Sequence, residues 1–269
     1  TRVLVRSSSD TKLLKDWGVE IMTGDMSNRR SLAEAVENVT LIVHCAAKVG
    51  DWGPIDEYRT INVDGLDNLL NAAEAGGTLR RMIHISSLGV YEARDHYGTD
   101  ESEPPSTGGI DGYTRTKFEA EELVLRHVRE KQLPATVLRP GFIYGPRDRT
   151  VLPRLMQRIK DRAFAFLGSG EQLMNNTYVG NLVDAVFLAL GRDETIGGVY
   201  NITDGKLVSK REFISTVAQL AGYDVPTRKV PLGVARVIAG VLEKTWRALG
   251  KTEAPVLSSA RIKFLGLNL

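Results

Sequence analysis

A chain of 269 residues that is 42% hydrophobic and 25% charged, with a formal net charge of +2, has the make-up of a globular enzyme or binding protein. That balance excludes an acidic tail and a strongly basic nucleic-acid surface, and no apolar run reaches the roughly 18 residues needed to cross a bilayer. The single cysteine, Cys45, cannot close an intrachain disulfide, which points to a reducing, cytoplasmic setting. His44, His84, His96 and His127 lack the spacing of zinc ligands, so no metal is expected.

In chain order, Val3-Leu4-Val5 predicts a strand, residues 10–17 a helix, Val19 to Met22 a strand and residues 28–37 a helix. Leu41 to Cys45 reads as a buried strand, and residues 57–75 as one long helix closing at Gly76-Gly77. Met82 to Ile85 is a further strand, residues 112–132 a helix and Ala135 to Leu138 a strand. This alternation implies an α/β fold, a mostly parallel, doubly wound sheet covered on both faces.

After about residue 145 the rhythm changes, and the remainder reads as a smaller substrate-binding region across the carboxyl ends of the strands. Helices are expected at 151–161 and 181–190, and Ser209 with Glu212 forms a capping box opening a helix to about 221. The helix at 232–249 carries Val234, Val237, Ile238, Val241, Leu242 and Trp246 on one apolar face. Three uses of that face stay open: core, a lid over an apolar substrate, or a weak membrane-surface contact.

Tyr113 and Lys117 stand four residues apart on the helix 112–132, so their side chains are neighbours. Acid–base work by a tyrosine near neutral pH needs its pKa, ordinarily about 10, to fall by roughly 2–3 units. A cation about 5.5 Å away would supply about two of them at an effective dielectric of 20. The spacing alone is weak evidence. Tyr113, Lys117, Ala120, Val124 and Val128 nevertheless share the stripe expected to face the sheet, where a lysine must find a partner or snorkel outward. Ser86 and Ser87 follow the strand 82–85 at its carboxyl end, where open α/β sheets bind ligands. Ser87 could hold a substrate oxygen there while Tyr113 moves the proton.

These residues resemble the extended short-chain dehydrogenase/reductases, the NAD-dependent epimerase/dehydratase superfamily, along nearly the whole chain. Gly24-Asp25-Met26 resembles the adenine-contacting step, His44-Cys45-Ala46-Ala47 the strand end lining the cofactor, and Asn62-Val63-Asp64-Gly65 the structural segment of the next helix. Ile85-Ser86-Ser87-Leu88-Gly89-Val90-Tyr91 places Ser87 on the family's serine, and Tyr113 and Lys117 on its Tyr/Lys pair. Arg139-Pro140-Gly141-Phe142-Ile143-Tyr144-Gly145-Pro146 resembles the segment beside the nicotinamide. Ala46 to Gly53 and Asn176 to Asn181 look most like the 3β-hydroxysteroid dehydrogenase-like branch, which acts on secondary alcohols and ketones of hydrophobic molecules.

The resemblance implies a Rossmann-like dinucleotide-binding domain over 1–146 and a mainly substrate-binding region over 147–269, with some segments returning to the core. It implies catalysis by Ser87, Tyr113 and Lys117, and cofactor contacts from Arg6, Ser7, Asp25, Met26, Ala46, Ala47, Lys48, Tyr113, Lys117, Pro140, Gly141 and Ile143. Trp52, Phe142, Tyr144 and Tyr178 would wall a pocket for a small hydrophobic substrate, and a homodimer through 57–75 and 112–132 is implied as well.

The family's opening strand, Gly-x-x-Gly-x-x-Gly turn and helix have no counterpart in the sequence, and Val3-Leu4-Val5 matches the family's second strand. The expectation is that the natural protein has residues before Thr1 and after Leu269. Val5-Arg6-Ser7-Ser8-Ser9 carries no acid before Asp10, so NADP(H) is expected over NAD(H), with Arg6 and the serines receiving a 2′-phosphate. The main reading is an oxidoreductase interconverting a secondary alcohol and a ketone. The alternative is a nucleotide-sugar epimerase or dehydratase, with Arg147, Arg149, Arg154 and Arg158 near a diphosphate. A cofactor-sensing scaffold would not need the tyrosine acid, and no Gly-x-Ser-x-Gly elbow supports a hydrolase.

Overall fold

The computed structural model describes residues 1–269. Strand β1 (Arg2–Val5), helix α1 (Lys12–Asp16), strand β2 (Glu20–Thr23), helix α2 (Arg29–Val36) and strand β3 (Leu41–His44) alternate as the apolar spacing predicts. β3 is not the buried strand expected: it ends the order of its sheet, and Leu41 and Val43 are exposed. One long helix was expected over 57–75, but the chain forms α3 (Ile55–Arg59), a wide π-type turn (Thr60–Asp64) and α4 (Gly65–Gly76). Such a turn adds a residue to the helical repeat, which hydrophobic periodicity does not register. α4 ends at Gly77 in the left-handed conformation, φ 63°.

Strand β4 (Arg81–Ile85), helix α5 (Gly112–Lys131) and strand β5 (Ala135–Pro140) complete the first half. The second half runs β6 (Phe142–Tyr144), α6 (Leu152–Lys160), β7 (Phe166–Leu167), β8 (Leu173–Met174), β9 (Asn176–Tyr178), α7 (Val179–Leu190), β10 (Val199–Ile202), β11 (Val208–Ser209), α8 (Lys210–Leu220), β12 (Lys229–Val230), α9 (Leu232–Ala248) and α10 (Ser259–Gly266). The Ser209 hydroxyl accepts from the Glu212 backbone, so Ser209 caps the helix, but the Glu212 side chain does not return the second bond of a capping box.

The principal sheet is parallel, ordered β10-β5-β4-β3, while β1 pairs in parallel with β2. β10 therefore returns from the second half to flank β5. One face packs on α2, α4 and α5 through Leu32, Leu66, Leu70, Met82, Val124 and Val137; the other packs on α7 through Ile83, Leu138 and Leu182. Separate small cores lie under α6 and α8, and under α9 and α10. On α9 the alanines face inward: Ala235 and Ala239 are buried, whereas Val234, Val237, Ile238 and Val241 are exposed. That apolar face is thus not core. No helix is long and apolar enough to cross a membrane.

Candidate active site

The N-terminus of α5 sets the first part of the site. Asp111 caps it by accepting from the Thr114 backbone at 2.7 Å, with the reciprocal Thr114 contact also present. Tyr113 lies in the first turn and Lys117 in the second, beside the carboxyl end of β4. The Lys117 side chain is 4% exposed and its Nζ donates to the Ile85 carbonyl at 2.7 Å. The lysine does not snorkel outward; the strand end holds it. Burial pushes its pKa down to about 8, against the opposing charges of Cys45 and Glu121.

Ser87 directly follows Ser86 after β4 and caps the short 3₁₀ turn Leu88–Val90, its Oγ accepting from the Gly89 backbone at 3.0 Å. As the acceptor in that bond, the Ser87 hydroxyl keeps its own hydrogen for a further partner, and Tyr113 is the group it meets. Burial pushes the Tyr113 phenol upward; the Ser87 hydroxyl opposes that shift and the Asp111 charge adds to it. Here the structure corrects the expectation drawn from spacing. Lys117 is turned to Ile85, so its charge does not lower the Tyr113 phenol, and desolvation prevails.

Asn62 organises the strand-end loop where a cofactor would lie. It is 1% exposed, accepts from the Lys48 backbone at 2.6 Å, and donates to the Lys48 carbonyl and to Thr116 Oγ1 on α5. The π-type turn brings this amide under residues 46–48, and Ala46 and Ala47 are left with accessible surface. Lys48 itself is paired with Glu57 at 2.6 Å. Arg6 and Ser7 are exposed at the end of β1, a cation and a hydroxyl suited to a phosphate. Asp25 is engaged by Ser27, which holds its carboxyl below the usual range. The Met26 side chain belongs to the core at 8% exposure, so only its backbone can meet a cofactor.

Pro140 is buried, Gly141 partly buried and Ile143 exposed along the β5–β6 segment. A Cβ on Gly141 would lie 1.8 Å from the Asn175 carbonyl oxygen, so only glycine lets this segment pass β9 so closely. These features suit a dinucleotide: parallel strand ends point one way, Ala46 and Ala47 keep accessible surface, and Arg6 offers an exposed cation.

Of the four aromatic residues expected to wall a pocket, three gather. Tyr144 packs on Tyr178, with ring centroids 5.7 Å apart, and Phe142 joins them through Phe213. Trp52 is elsewhere, its indole donating to the Lys251 carbonyl at 2.9 Å under Arg247. Phe213 on α8 and Phe264 on α10 complete the cluster, Phe264 lying 5.2 Å from Phe142. Neither was singled out in the sequence, where an aromatic at helical spacing reads as core.

A doubly wound sheet with a tyrosine, a lysine and a serine at its strand ends defines an NAD(P)-dependent enzyme of the short-chain dehydrogenase/reductase type. The profile of the NAD dependent epimerase/dehydratase family matches residues 1–203, and the chain belongs to that family. It is similar to the 4-hydroxy-2-methyl-3-oxo-4-farnesyl-3,4-dihydroquinoline-1-oxide ketoreductase of Stigmatella aurantiaca, 31% identical over 96% of this chain and 77% of the relative. It is 28% identical to the 3beta-hydroxysteroid-dehydrogenase/decarboxylase isoform 1 of Arabidopsis thaliana, over 95% of this chain and 61% of that protein. The crystal structure of gox2253 superposes with a TM-score of 0.79 at 29% identity, covering 98% of this chain and 84% of that one.

Proposed function

We propose that this protein is an NADP(H)-dependent reductase of a ketone on a hydrophobic molecule, forming the secondary alcohol. The observation that carries this reading is the meeting of Tyr113, Lys117 and Ser87 at the end of β4, on the segment side where Phe142, Tyr144, Tyr178, Phe213 and Phe264 offer an apolar wall. Ketoreductase and hydroxysteroid dehydrogenase chemistry among the similar proteins supports it. A bound nicotinamide supplies the hydride. Tyr113, kept protonated by burial, donates a proton to the carbonyl oxygen, and the Ser87 hydroxyl, turned from Tyr113 to substrate, donates a hydrogen bond to the same oxygen. Lys117, held by the Ile85 carbonyl at the strand end, would offer its ammonium to a cofactor bound there.

Arg6 and Ser7 are the residues proposed to prefer NADP(H). Changing Arg6 to Ala is expected to raise the KM for NADPH by about tenfold, the worth of a charge-assisted hydrogen bond, and to leave the KM for NADH within about twofold. An equal change for both cofactors in steady-state kinetics would remove Arg6 from 2′-phosphate recognition.

The division at residue 146 into a dinucleotide-binding part and a mainly substrate-binding part belongs to the same proposal, as does a cytoplasmic setting. So does a homodimer through α3, α4 and α5. The outer faces of these helices carry charged residues such as Arg115, Glu122 and Arg126, so such a contact would be polar, and light scattering would read a doubled mass.

Incubation with NADPH and a panel of steroid, long-chain and aromatic ketones tests the function. Consumption of one NADPH per alcohol formed is the expected result. Turnover of a nucleotide-linked sugar with no net loss of NADPH would overturn it in favour of an epimerase or dehydratase.

A further inference from the structure

We propose that Glu121 and Arg139 form a buried positioning pair that holds Ser87 and Lys117 from behind; the proposal rests on the oxidoreductase reading above. Glu121 is 0% and Arg139 3% exposed. Glu121 lies one turn beyond Lys117 on α5, and Arg139 immediately precedes Pro140 and Gly141 on β5. Arg139 Nε donates to the two Glu121 carboxylate oxygens at 3.2 and 3.0 Å, and Nη2 closes the fork. Ser86 Oγ donates to the same carboxylate at 2.8 Å. On its other side, Arg139 Nη1 donates to the Tyr91 hydroxyl at 2.7 Å. That hydroxyl lies 3.1 Å from Asn201 Oδ1 on β10 and 3.2 Å from the Asp100 carbonyl.

One ion pair therefore ties together α5, the ends of β4 and β5, β10 and the exit of the 3₁₀ turn. Apolar side chains of similar volume could fill the space as stably, so the charges are explained by their effect on the neighbours. Two effects follow from the geometry. Ser86 and Ser87 point to opposite sides of the strand end, so anchoring Ser86 on Glu121 fixes the direction of Ser87 toward Tyr113. The carboxylate also supports an ammonium that burial disfavours. His44 and Cys45 face Lys117 from β3 and the residue after it, His84 from β4, and Glu121 from α5 itself. His44 and His84 lie 3.0 Å apart at their Nδ1 atoms and are held neutral by burial, His44 down to about 3 and His84 well below its ordinary value. Glu121 is the carboxylate in this set.

The test compares Glu121→Gln, the double variant Glu121→Gln with Arg139→Met, and Ser86→Ala with the parent enzyme. The readouts are Tm, the pH profile of kcat with NADPH and a ketone, and NMR titration of Lys117 labelled at Cε. In Glu121→Gln the Lys117 titration and the alkaline limb of kcat are expected to move down by about one pH unit, kcat to fall about tenfold, and the KM for NADPH to stay within about twofold. The double variant, with no unpaired arginine, regains Tm but keeps the lowered Lys117 titration. Ser86→Ala lowers kcat about fivefold, through Ser87 alone, and leaves that titration in place. A Lys117 titration unmoved in both Glu121 variants, or a kcat that recovers together with Tm, overturns the proposal. The titration needs no turnover, so an inactive parent enzyme counts against the oxidoreductase reading and not against the pair.

Discussion

Replacing Tyr113 with Phe is expected to lower kcat for ketone reduction by about 10²–10⁴-fold, the range that general acid catalysis contributes. Cofactor affinity should change by no more than about threefold, because the ring stays in place and a single hydrogen-bonding group is lost. The reason lies in the protonation state. Burial holds the phenol above its ordinary pKa, so at neutral pH Tyr113 carries a proton ready for transfer, and Phe carries none. Stopped-flow kinetics of NADPH oxidation, with cofactor binding measured by fluorescence titration, separates the two quantities. Wild-type turnover in this variant would remove Tyr113 from the chemical step and leave Ser87 as the donor to the carbonyl oxygen.

Changing Arg139 to Met should destabilise the fold by about 3–5 kcal/mol, since it leaves Glu121 as an uncompensated charge with 0% exposure. For a domain of this size that is a fall in Tm on the order of 10 °C. Changing Glu121 to Gln in the same chain should restore most of it, because apolar or neutral replacement of both partners removes the desolvation cost along with the attraction. Chemical denaturation of the two variants side by side measures the difference. Equal stability of the single and double variants would mean that Glu121 takes up a proton or reaches water when its partner is gone.

Much of this architecture was legible beforehand. The strands β4 and β5 are apolar runs flanked by helical patterns, the signature of a parallel sheet buried on both faces; β3 shares the pattern, yet Leu41 and Val43 on it are exposed. Tyr113 and Lys117 could be placed by helical spacing, and Ser87 by its place after a strand, because those relations are local. The electrostatics were not local. Coulomb reasoning on two side chains predicts a lowered tyrosine, whereas the folded protein turns the lysine to Ile85 and desolvates the phenol. The π-type turn at Thr60–Asp64 is invisible to a period of 3.6, yet it presents Asn62 to Lys48. Phe213 and Phe264 lie far along the chain from Phe142, and only the packing of α8 and α10 brings the three rings together. On α9 the large aliphatic residues left core, lid and membrane contact open, but the alanines allow the closer approach and point inward.

The order β10-β5-β4-β3 also bears on how the chain acquires its structure. β5 is a central strand whose outer neighbour is supplied by residues 199–202, about sixty positions later in synthesis, and such non-local parallel pairing is slow to form. Until β10 emerges from the ribosome, the backbone of Val137, Leu138 and Arg139 presents an unsatisfied, apolar edge of the kind that templates aggregation. Chains truncated before Val199 are therefore expected to be the sticky species during expression, and the final locking of the sheet to wait on the emergence of β10.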